Sequence, residues 1–113
     1  MTIQYKNQGV NLSTTGTTSV FTAPSDATII IKQIQINNGS TGAVNLSVQV
    51  TDTSASTTFR IFNQSLTASS TTDIINHTLI LEASDILKMT AGTANEIQGI
   101  ISYAQLDRSQ ENG

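Results

Sequence analysis

Apolar residues fall on alternate positions through the middle of the chain: Val44, Leu46, Val48 and Val50 are separated by Asn45, Ser47, Gln49 and Thr51. A period of two marks a strand with one face in a core and the other in water. Residues 28–37 read as a second strand, with Ile30, Ile34 and Ile36 sharing a face with Lys32 while Ile29 and Ile31 lie on the other. Apolar residues on both faces predict that its first half is covered on both sides. Between the two, Asn38-Gly39-Ser40-Thr41-Gly42 supplies residues that tolerate positive φ and predicts a hairpin or short loop.

Further strands are predicted over residues 57–65, 73–81, 86–91 and 96–105, with weaker ones over 3–12 and 17–23, all separated by links rich in Ser, Thr, Ala and Gly. Pro24, the only proline, presets φ for a turn and removes a donor that a central strand would need, so it marks a loop. Residues 79–89 read as two strands joined by a tight turn at Ser84-Asp85 rather than as a helix. About eight short strands at regular spacing predict an all-β fold, an antiparallel β-sandwich of jelly-roll type.

A chain of 113 residues has room for one core, so residues 1–113 are read as a single domain. Residues 1–11 form an N-terminal arm or edge strand. Residues 107–113 are wholly polar and are read as a tail or a partner-binding arm.

Composition sharpens the picture. Apolar residues are 37% of the chain and charged residues 12%, both below the averages of ordinary globular domains, and Ser, Thr, Asn and Gln fill the deficit. The core should be thin and the surface neutral and polar. Low hydrophobicity accompanies disorder when net charge is high and β-branched residues are few, whereas this chain is rich in Ile, Val and Thr. With a net charge of −3 and five scattered basic residues, Lys6, Lys32, Arg60, Lys88 and Arg108, no phosphate track forms and nucleic-acid binding is not expected. No apolar run reaches a membrane span and no export signal is evident, so a soluble chain with no membrane partner is expected.

Candidate chemistry is sparse. There is no Cys, which removes disulfides, thiolate metal sites and thiol nucleophiles together. His77 is the only histidine; on the alternation with Ile75, Leu79 and Leu81 it lies on or beside an apolar face and is read as a hydrogen-bonded structural residue. Asp52, Asp73, Glu82 and Asp85 are dispersed in sequence; Glu82 and Asp85 are near enough to flank a loop calcium, but solvated turn carboxylates are far commoner. The Asn-x-Ser/Thr triplets at Asn11, Asn38, Asn45, Asn63 and Asn76 are what so polar a composition produces by chance. Tyr5, Phe21, Phe59, Phe62 and Tyr103 are the whole aromatic supply and most are assigned to the core, which leaves little for a sugar-stacking platform. The reading is therefore no catalytic, cofactor or metal residue, no small-molecule substrate and no enzyme.

The run Val20-Phe21-Thr22-Ala23-Pro24, the strand ending in Asn38-Gly39, the strand from Val44 to Val50, and the closing Leu81-Glu82-Ala83-Ser84-Asp85-Ile86-Leu87-Lys88-Met89-Thr90-Ala91 followed by Ile97 to Tyr103 resemble small virion proteins of tailed phages. The likeness is to those of cyanobacterial and other marine phages, and it covers residues 17–103 by pattern and turns rather than by a catalytic signature. Members often carry Gly where this chain has Asp26 and Ser84. The resemblance implies a structural subunit of the virion, assembled in the bacterial host cytoplasm. Its partners would be the major capsid protein or neck and tail subunits, with self-association through sheet edges and terminal segments. Decoration of the capsid exterior is the favoured place; a neck, tail or fibre-associated subunit is the competitor, and a host-surface glycan-binding module is the reading from another class.

Overall fold

The computed structural model describes residues 2–107, which form nine strands and no helix. They are β1 (Thr2–Leu12), β2 (Thr18–Thr22), β3 (Ala27–Asn38), β4 (Val44–Asp52), β5 (Thr57–Leu66), β6 (Ser70–Asp73), β7 (Leu79–Leu81), β8 (Ile86–Ala91) and β9 (Ile97–Asp107). One sheet runs β1-β9-β3, with β6 and β7 both pairing the far side of β3; the other runs β2-β8-β4-β5. Every pairing is antiparallel. The chain passes repeatedly from one sheet to the other, and only the β4–β5 hairpin joins consecutive strands as neighbours. This is the jelly-roll winding that the strand count and spacing predict. The expected tail beginning at residue 107 starts inside β9, and residues 108–113 lie outside the described residues.

The core lies between the sheets, where twelve large apolar side chains are fully buried, Ile29, Ile31, Ile34, Ile36, Leu46, Val48, Leu87 and Met89 among them. Those of β4 arrive by plain alternation. Those of β3 do not: Ile29, Ile31, Ile34 and Ile36 all face inward, because the register against β9 shifts between Ile31 and Gln33. The extra residue, Lys32, is a β-bulge that turns the first half of the strand over. The expectation that Ile30 shares a face with Ile34 and Ile36 is thereby corrected; Ile30 is half-buried on the outer face.

One other strand expectation is corrected. Residues 73–81 are not one strand: β6 ends at Asp73, Ile74 donates its N–H to the Ile34 carbonyl at 3.0 Å, and pairing resumes only at Leu79. Of the hairpin or short loop expected after Asn38 the structure has the short loop, a crossover between sheets, and none of the described glycines has positive φ. Its shape comes instead from the fully buried Asn38 side chain, whose Nδ2 is directed at the carbonyls of Gly42, Leu66 and Thr67 at 3.1–3.2 Å while Oδ1 accepts from the Ser40 N–H at 3.0 Å. One side chain thus fastens two loops, because a buried amide must find partners for both its ends.

Candidate functional site

His77 is exposed in the irregular segment between β6 and β7. The break in the strand removes the alternation that placed it on or beside an apolar face, and among the described residues its imidazole makes no hydrogen bond. Nothing nearby orients it as a base.

The acidic residues are less dispersed than their sequence positions imply. Asp52, at the end of β4, joins Glu82 and Asp85 of the turn before β8, with one oxygen from each within 4.8 Å of the others. Asp85 is buried, and its oxygens accept from the backbone N–H groups of Thr53 at 3.0 Å and Glu82 at 2.9 Å. Asp52 accepts from the Ser54 hydroxyl at 2.8 Å and the Ala55 N–H at 3.3 Å. The Asp52 and Asp85 carboxylates cap turns, and Asp85 ties the β4–β5 turn to the β7–β8 turn. The Thr53 hydroxyl adds a 2.7 Å bond to the Ser84 carbonyl.

The aromatics divide between core and surface. Phe21 and Tyr103 meet edge to face with ring centroids 4.7 Å apart, and burial raises the Tyr103 phenol above its ordinary pKa. Phe62 is half-buried against the core, so three of the five aromatics serve it, whereas Tyr5 and Phe59 are 82% and 51% exposed. Tyr5 lies on β1, an edge of one sheet, and Phe59 on β5, an edge of the other. They make no shared stacking platform.

What the fold does build is surface. On the outer face of the larger sheet, Tyr5, Ala104, Ile30 and Ile80 are opposite one another across β1, β9, β3 and β7, an apolar row continued by Ile3 and Leu106. Further along the same face, Gly9 leaves a groove of about 540 Å³ bordered by Asn11, Gln35, Asn37, Gln98 and Ile100. Sequence reading missed both features, because they depend on which strands are neighbours.

No protein-family model matches the chain, and neither does any curated protein. Solved structures do resemble it in fold. A chain of the acid-stable capsid of Helicobacter pylori bacteriophage KHP30 superposes with a TM-score of 0.58 at 12% identity, over 95% of this chain and 94% of that one. A chain of the Bacillus endospore appendages, described as disulfide-linked pili, gives 0.52 at 10% identity, over 92% and 86%. Infectious bursal disease virus strain Gx gives 0.52 at 10% identity over 92% of this chain, which spans only 32% of that longer one. All three are similar to this chain in fold, and the all-β, two-sheet jelly-roll sandwich is common ground.

Proposed function

We propose that this chain is a non-enzymatic structural subunit of a phage particle that decorates the capsid exterior. The observation that carries the reading is the mutual coverage with the KHP30 capsid chain: nearly all of each chain is used, so that capsid contains a component built from one sandwich of this size. The pilus likeness is the weaker guide, since a chain without cysteine cannot form the disulfide links that describe those appendages. The lack of converging chemistry among the described residues fits the same role: His77 stands in an exposed loop, and two of the three clustered carboxylates, Asp52 and Asp85, are engaged in turn capping. A glycan-binding role is disfavoured by the placement of Tyr5 and Phe59 on edges of different sheets. The affiliation with cyanobacterial and marine phages rests on sequence pattern alone.

On this reading the partners are other virion proteins, the major capsid protein first among them, and the contacts are polar faces and sheet edges. Image reconstruction of intact particles, with copy number from quantitative mass spectrometry, tests it. Density repeating over the outer lattice, in fixed ratio to the shell protein, is the expected result. A single ring of copies at one vertex assigns the chain to neck or tail and overturns decoration, and absence from particles overturns the virion reading altogether.

A further inference from the structure

Sheet edges present unpaired N–H and C=O groups, and folds usually blunt them with bulges, breaks or charge. Three of the four edges here are blunted. β2 is short and carries a bulge between Ser19 and Phe21; β5 is shifted between its partners Val48 and Gln49 and presents Arg60; the β6 and β7 edge is interrupted over five residues. The remaining edge, β1, is different: eleven consecutive residues pair with β9 without a register shift, and among the described residues nothing pairs with its other side. Lys6 is its only charged residue.

The face of that strand is also self-complementary. Tyr5 and Gly9 both point outward, Tyr5 opposite Ala104 and Gly9 opposite Ile100. Tyr5 is the most exposed large apolar residue described, and a side-chain carbon at Gly9 would meet nothing within 4 Å, because Gly9 opens onto the groove. An antiparallel pairing of β1 with its own copy that uses the whole strand is centred on Asn7. That register sets Tyr5 of each copy opposite Gly9 of the other. Directly opposed Cβ positions are about 5 Å apart, so each ring crosses the bare glycine toward Ile100. Lys6 falls opposite Gln8, so no like charges meet.

We propose that β1 is a homotypic docking edge: two copies of this chain pair antiparallel through β1 about Asn7, with Tyr5 of each seated over Gly9 in the outer-face groove of the other. The contact is isologous and closes as a two-fold dimer with a sheet continuous across it. It stands independently of the virion reading.

Sedimentation equilibrium of the full chain tests it, alongside Tyr5→Ser, Gly9→Val and Asn7→Cys. The expected result is a wild-type dimer whose association weakens about tenfold or more in Tyr5→Ser and in Gly9→Val, as loss or obstruction of an aromatic anchor does. Both positions face open space, so circular dichroism of the two variants stays that of a β-sheet. Because the chain has no cysteine, Asn7→Cys reads the register directly: it oxidises to a disulfide-linked dimer, while Ser65→Cys on the β5 edge does not. A wild-type chain that is monomeric at every concentration overturns the proposal and leaves the edge to a different protein. A dimer that both Tyr5→Ser and Gly9→Val leave intact, or one that Asn7→Cys fails to cross-link, overturns it equally.

Discussion

Val48 and Gln49 are adjacent in β4, yet one is fully buried between Phe62 and Met89 while the other lies outward between Arg60 and Lys88. Val48→Asp places a charge without a partner in the core and is expected to cost about 3–5 kcal/mol. Gln49→Asp loses a 2.9 Å bond to Ser47 but gains two cationic neighbours, and should stay within about 1 kcal/mol of wild type. Urea titration compares them; equal midpoints would contradict the assignment of faces. A different residue-scale effect operates at Ser84, whose φ of 68° is in the left-handed region, where a side chain crowds the backbone. Its N–H and carbonyl bonds to Ala23 and Thr53 hold it there. Ser84→Gly keeps those bonds and should stabilise by up to about 1 kcal/mol, whereas Ser84→Val should destabilise by about 1 kcal/mol or more. Opposite signs in thermal denaturation are the check. Asp26, the other position where the family resemblance has glycine, is not among the positive-φ residues.

At the scale of elements, the close approach of β9 to β3 depends on Gly99. A Cβ there would overlap the Gln35 carbonyl oxygen and stand 2.7 Å from Ile36 Cδ1, and backbone cannot yield as a flexible side chain can. Gly99→Ala is therefore expected to lose about 2–3 kcal/mol, while Gly42→Ala, with nothing within 4 Å, serves as the near-neutral control in the same melt. How legible an element was depends on whether its periodicity is interrupted. β4 and β8 could be read from alternation or bounded by turn residues, since each keeps one phase from end to end. β3 could not be phased, because a bulge inserts a residue without any turn signal, and Lys32 looks like any other polar position. The break between β6 and β7 was hidden for a related reason: Ile74 and Ile75 prolong the apolar run through residues that leave the ladder. Site features followed the same rule. Local ones, such as the Ser84-Asp85 turn, were visible, whereas the approach of Asp52 to Glu82 and the groove beside Gly9 come from packing between segments distant in sequence.

For the molecule as a whole, topology sets the order in which those distant segments meet. Six of the seven strand pairings join non-consecutive strands, and β1 must find β9 across almost the full length of the chain. Loop closure over such distances is paid in entropy before contacts return it, so refolding is expected in the range of about milliseconds to seconds rather than microseconds. The β4–β5 hairpin is the cheapest contact to close, and its members Val44 and Leu66 are buried together. Leu66→Ala should then slow folding, whereas Val10→Ala, on the distal β1, should chiefly speed unfolding. Stopped-flow measurements in urea separate the two limbs. If Val10→Ala slows folding as much as Leu66→Ala does, β1 docks early and this order is wrong. Late docking would leave β1 as the strand least tightly held by the folding nucleus, and it is also the edge that offers eleven residues to a second copy. An assembly contact placed there adds hydrogen bonds to the strand that the monomer secures last. Dimerisation should accordingly slow unfolding while leaving the folding limb unchanged, a difference readable from the same experiment at two protein concentrations.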